Sequence, residues 1–156
     1  RASIRIEQDD LHDRQSFRDL FQLRLPLEIE AAGLAAVHHD QSGLDKLDET
    51  LAAMTGADKW TEQGIVADLA FHRILAAATK NEYFSLFIGF IAERISLAIN
   101  AARAAAVLEE IVEVTIAEHL AIREAVASRD PQRAREAMRR HLLGATGRLG
   151  LTLESY

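Results

Sequence analysis

The chain has 156 residues, 49% of them hydrophobic and 27% charged, with no cysteine and a net charge of −6. That size fits one domain, which buries roughly 68–70% of its unfolded surface and needs no disulfide to fold. The missing cysteines exclude thiolate metal sites and cysteine nucleophiles, and the acidic balance argues against this segment itself gripping nucleic acid. No stretch approaches the ~18–20 apolar residues of a membrane helix, and Arg1 to Asp10 lack the apolar centre of a signal peptide. A cytoplasmic protein is expected. Because the first residue is Arg1 and not Met, so is a fragment or a processed product.

Only two prolines and eight glycines punctuate the chain, and apolar residues recur at helical spacing. A first helix is predicted from about Asp13 to His38, with Phe17, Leu20, Leu23 or Arg24, Leu27, Ala31, Leu34 and Ala35 facing inward. Pro26 should kink it or divide it in two. Ser42-Gly43-Leu44-Asp45 reads as a capping box for a second helix that carries Leu44, Leu47, Leu51 and Met54 and ends at Gly56. A third runs from about Trp60 to Thr79 through Ile65, Leu69, Phe71, Leu75 and Ala76, with Trp60 as a packing or boundary residue.

Asn81 can cap a long fourth helix to about Ala105, striped by Phe84, Phe87, Ile88, Ile91, Ile95, Ala98 and Ile99. The fifth runs from about Glu109 to Ser128 with Val112, Ile116, Leu120, Ile122 and Val126 inward. Asp130-Pro131, a cap followed by a first-turn proline, opens a sixth helix to about Arg148. Residues 1–12 read as a linker remnant around His12, 13–150 as the helical domain and 151–156 as a tail. The expected fold is an all-α antiparallel bundle of six to seven helices.

Several polar residues fall on the apolar stripes. Asp68 and His72 are four apart on the third helix, His119 follows Ile116 by three on the fifth, and His141 shares the small-residue face of Ala134, Ala137 and Met138. Three neutral imidazoles and a carboxylate suit zinc, nickel, manganese or iron, with one or two coordination positions left for water or a ligand. The competing reading keeps the histidines as hydrogen-bonded core residues and Asp68–His72 as a buried ion pair.

Two arginines join this pattern. Arg94 follows Phe87 by seven and Ile91 by three, and Arg24 lies midway between Phe17 and Ala31. A guanidinium on an apolar face needs a partner: a ligand carboxylate, or a salt bridge with Glu28, Glu93 or Asp68. Arg133, Arg135, Arg139 and Arg140 make the sixth helix basic, which reads as a solvated face, and His38-His39-Asp40 closes the first helix.

The segment from Phe17 through Arg24 to Leu27-Glu28 and Ala35-Ala36 resembles the opening helix of the effector-binding (FCD) domain of FadR-type GntR-family transcription regulators. Ala67-Asp68-Leu69-Ala70-Phe71-His72 followed by Asn81 is similar to that family's "D-x-x-F-H … N" segment. Glu118-His119 with Ile122 and Ala125, then Asp130-Pro131, Ala134 and Arg139-Arg140-His141-Leu142, resembles its last two helices. The resemblance spans about residues 14–148 and departs from the family's pattern at Pro26.

The resemblance implies a divalent metal on Asp68, His72, His119 and His141, and a small carboxylate or hydroxy-acid effector bound with help from Arg24 and Arg94. It also implies a homodimer and DNA binding through an absent N-terminal winged-helix domain. The expected function is therefore ligand sensing and not catalysis. A helical-bundle metalloenzyme, hydrolase or oxygenase, is the alternative, since an open metal position can activate water or oxygen. Against it stands the lack of paired Glu-x-x-His motifs. A third possibility is a metal-free helical interaction module.

Overall fold

A computed structural model describes residues 14–56, 62–101, 109–148, 150, 151 and 153. Trp60, His12, the 1–12 segment and the expected helix end near Ala105 lie outside the described residues, as do the side chains of Ala98 and Ile99. Six helices carry the described chain: α1 Arg14–His38, α2 Gln41–Gly56, α3 Glu62–Ala78, α4 Glu82–Ala101, α5 Glu109–Ala127 and α6 Pro131–Arg148. No strand occurs among the described residues, so the fold is the expected all-α bundle. None of the helices is long and apolar enough to cross a membrane.

α1 organises the bundle and packs against α3, α4, α5 and α6. It is one continuous helix across Pro26 and does not divide in two. Pro26 is exposed, so the carbonyl its missing N–H leaves unpaired faces water. The main core gathers Leu25, Leu47, Met54, Phe71, Ile122 and Met138 from α1, α2, α3, α5 and α6. A second cluster joins Phe21, Ile65, Leu69, Ile91 and Ile95 from α1, α3 and α4, and Leu151 and Leu153 pack onto it from beyond α6.

The helix ends follow local chemistry. Asn81 Oδ1 accepts the Tyr83 N–H at the start of α4. Asp130 Oδ1 accepts the N–H groups of Gln132 and Arg133 at 3.0 and 3.1 Å and caps α6 as expected. The cap of α2 is a correction. Ser42 lies inside the helix, and Asp40 accepts the Gly43 N–H at 2.9 Å, because the helix starts at Gln41. The other Asp40 oxygen binds Lys80 at 2.8 Å, which ties the start of α2 to the end of α3. α6 closes with Leu151 N–H on the Thr146 carbonyl and Gly150 N–H on that of Gly147, at a Gly150 φ of 71°.

Two apolar assignments are also corrected. Phe87 is 54% exposed, because the buried stripe of α4 runs through Ile88, Ile91 and Ile95 and position 87 lies about 100° around the helix from Ile88. Leu120 is 46% exposed for the same reason: α5 buries Thr115, His119, Ile122 and Val126. On α1 the alternative between Leu23 and Arg24 is decided for Arg24, which is buried while Leu23 is exposed.

Candidate metal centre

Asp68 and His72 stand one turn apart on α3, where Leu69, Phe71 and Leu75 root the helix in the core. His119 projects from the buried stripe of α5, and His141 from that of α6 beside Met138 and Leu142. Among the described residues no Cα of α3 comes within 8 Å of one in α5 or α6. The side chains themselves therefore span the space between these helices. One ligand atom from each of Asp68, His72, His119 and His141 lies within 4.8 Å of the other three. The three imidazole centroids are 5.2, 5.3 and 4.3 Å apart, and the Phe71 ring stands edge-on to His119 at 4.8 Å.

Each imidazole is anchored from outside the cluster through Nδ1. His119 Nδ1 donates to the Thr115 carbonyl at 2.7 Å. His141 Nδ1 donates to Glu118 Oε1 at 2.9 Å, and His72 Nδ1 donates to Glu28 Oε1. Carboxylates and carbonyls only accept, so the proton of each neutral ring sits on Nδ1 and the lone pair on Nε2. His72 Nε2 is buried with no hydrogen-bond partner, 3.4 Å from Asp68 Oδ1, and His119 Nε2 lies 2.7 Å from the same oxygen. Three Nε2 donors with outward-tied Nδ1–H groups, one of them orphaned, beside a carboxylate oxygen make a donor set that fits a divalent transition metal. Asp68, His72, His119 and His141 could hold such an ion.

The electrostatics favour anionic carboxylates around the rings. Burial opposes ionisation of Asp68, but the charge of His119 and its hydrogen bond outweigh it and hold the carboxyl well below its usual range. Burial likewise opposes ionisation of Glu28, yet Arg24 and His72 together draw its pKa down to about 2. For His141 burial dominates, reinforced by neighbouring His119, and lowers its pKa to about 3, so this ring is neutral at pH 7. A neutral imidazole is the form that binds metal.

Arg24 is buried, pairs through Nε with Glu28 and lies 5.3 Å over the Phe21 ring. The salt-bridge alternative raised by its spacing is therefore present, and it links α1 to the cluster through His72. The guanidinium carries four further N–H donors on its two Nη atoms. Arg94 is half-buried on α4, with its guanidinium 5.1 Å over Phe90. On α6, Arg135 reaches Glu30 of α1, and Arg139 and Arg140 flank Glu136.

The sequence pattern reaches the four clustered side chains but not their supports. Spacing offers Glu28 only as a partner for Arg24, and the bond from Glu28 to His72 crosses 44 positions. Glu118 and Arg148 meet at 2.6 Å, and no pattern in the sequence gives that pair a role. The one local signal is the i, i+4 spacing of Arg24 and Glu28.

Comparison with known proteins bears on the family and the fold. A family model described as the FCD domain matches residues 19–144. The chain is 28% identical over 134 residues to the HTH-type transcriptional regulator LutR of Bacillus subtilis (strain 168). That match covers 85% of this chain and 61% of the relative, so the chain spans less than two thirds of that protein. Among solved structures, Streptococcus agalactiae GntR is similar at TM-score 0.74 and 23% identity, covering 93% of this chain and 62% of that one. The E. coli McbR/YncC structure is similar at TM-score 0.79 and 18% identity, with 88% and 69% covered, so both likenesses concern the fold alone.

Proposed function

Because the chain belongs to the FCD domain family, we propose that it is the ligand-sensing domain of a GntR-type transcription regulator. In this reading Asp68, His72, His119 and His141 hold a divalent transition metal, zinc or nickel, with manganese or iron as alternatives. The observation that carries the reading is the common orientation of the rings, each giving its Nδ1–H outward to Thr115, Glu28 or Glu118. The bound ion supplies Lewis-acid positions for a small carboxylate or hydroxy acid. Arg24 and Arg94 take the remaining carboxylate oxygens, Arg24 through its Nη donors, since its Nε is held by Glu28.

The ligand residues come from α3, α5 and α6, and the described backbone of α3 stays apart from those of α5 and α6. An ion and an acid bound there fix the spacing of these helices, and an acid that prefers one spacing shifts the population toward it. In the whole regulator, residues 13–150 would form the sensing unit. A homodimer would pass the shift to DNA through a winged-helix domain that precedes it, in the cytoplasm. Sensing fits better than catalysis, because Glu28 and Glu118 are each held by an arginine and an imidazole and neither is placed as a general base.

Calorimetry of a panel of small carboxylates and hydroxy acids against metal-loaded protein tests this function. Binding of one class without turnover is expected. No binding by any member, or turnover of the bound acid, overturns it.

A further inference from the structure

The three ring anchors differ in kind. Thr115 presents a backbone carbonyl, and Glu28 is held by Arg24 on its own helix, whereas Glu118 is gripped from another helix. Arg148 on α6 donates through Nη2 to Glu118 Oε1 at 2.6 Å and through Nη1 to Oε2 at 3.2 Å. The same Oε1 accepts the His141 Nδ1–H at 2.9 Å. A carboxylate clamped at both oxygens by a planar fork has a fixed plane, and so has the ring that donates to it.

Gly144, half-buried on α6 between His141 and Arg148, makes room for this arrangement. A Cβ at position 144 would stand 2.7 Å from Glu118 Oε2 and 3.0 Å from Arg148 Nη1. Both atoms end flexible side chains, so an added methyl would displace the ion pair and leave the helix intact. A mid-helix glycine weakens a helix relative to alanine, so an alanine at position 144 strains the ion pair and not the helix. Gly147, one turn along, has open space where its Cβ would be.

We propose that Glu118, clamped by Arg148 over Gly144, is a positioning residue that fixes the tautomer and orientation of His141 and so tunes how tightly the centre holds its metal. The proposal rests on the metal reading above for its second half only. Glu118 touches no metal; it acts through the ring, and it ties the centre to the last turn of α6.

The test combines nitrogen–proton NMR of the His141 ring in metal-free protein with zinc affinity measured by competition against a chromophoric chelator. In the wild type the ring should carry its proton on Nδ1 alone, and Glu118→Ala should lose that single tautomer. Zinc affinity should fall about 10- to 100-fold in Glu118→Ala. Glu118→Gln, which keeps an acceptor oxygen, should recover part of it. Gly144→Ala should lose about tenfold with α6 still helical by circular dichroism, while Gly147→Ala matches the wild type.

Unchanged tautomer and unchanged affinity in both Glu118→Ala and Gly144→Ala overturn the proposal. If the wild type takes up no zinc, the metal reading fails separately. The ring-positioning half then stands or falls on the tautomer result.

Discussion

His119 Nε2 and Asp68 Oδ1 face each other at 2.7 Å, although the ring has already given its Nδ1–H to the Thr115 carbonyl. A lone pair and a carboxylate oxygen repel at that distance unless a positive charge lies between them. A metal cation shared by the two atoms would supply it.

Metal and proton compete at His72, where burial opposes protonation but the Glu28 charge outweighs it and raises the pKa. Metal uptake should therefore release a proton, and affinity should rise with pH. Each proton displaced corresponds to about a tenfold change in apparent affinity per pH unit while the displaced group is protonated. Zinc titrations between pH 5.5 and pH 7.5, repeated in buffers of different ionisation enthalpy, measure both quantities. A pH-independent affinity with no proton release would contradict the competition.

Glu28 makes the metal-free protein acid-sensitive. Its carboxyl, held at about 2 against burial by Arg24 and His72, lies below the 4.5 of an unperturbed glutamate. A carboxyl whose folded pKa is depressed adds stability above its unfolded pKa and loses it as pH falls toward the folded value. The shift corresponds to stability on the order of 3 kcal/mol, lost between about pH 4.5 and pH 2. Urea unfolding of metal-free Glu28→Gln should show lower stability at pH 7 and a shallower decline over that window than the wild type. Parallel pH profiles would show that the buried pair contributes nothing.

Arg94 offers a cleaner probe of the effector than Arg24, whose removal strands Glu28 in the interior. Arg94→Ala should weaken binding of the responsive acid about 10- to 100-fold and leave metal stoichiometry at the wild-type value. Calorimetry on metal-loaded protein reads the first and metal analysis the second. Equal acid affinity in the variant would remove Arg94 from the site.

The start of α2 gives a stability prediction independent of any ligand. Asp40 accepts the Gly43 N–H and pairs with Lys80, whereas Ser42 sits exposed inside the helix. Asp40→Ala should lower the urea midpoint measurably, and Ser42→Ala should leave it close to the wild type. The reverse order would restore the capping box at Ser42.

How much of the fold and of the centre is legible in the sequence depends on how local each feature is. Asp68 and His72 are one turn apart, and the Val112, Ile116, His119 spacing places a polar ring on a buried stripe, so helical periodicity alone reaches them. His141 is reached the same way, from the small-residue face of Ala134, Ala137 and Met138, and the resemblance of the surrounding segments implies a shared ligand role for all four. Periodicity fails where two readings differ by one or two positions: Phe87 against Ile88, Leu120 against His119 and Ser42 against Asp40. In each case the neighbouring elements, not the local pattern, select the face. The bonds of Glu28 to His72 and of Glu118 to Arg148 join residues 44 and 30 positions apart, and no spacing rule within one helix announces them.

The most direct measurement is the metal content of untagged protein, purified without nickel resin or chelator, by inductively coupled plasma mass spectrometry. The four-ligand centre predicts close to one equivalent of divalent transition metal per chain, lost in Asp68→Ala and in His141→Ala. Protein that contains no metal, and takes up none when zinc, nickel or manganese is added, would contradict it and leave the three histidines as hydrogen-bonded members of the core.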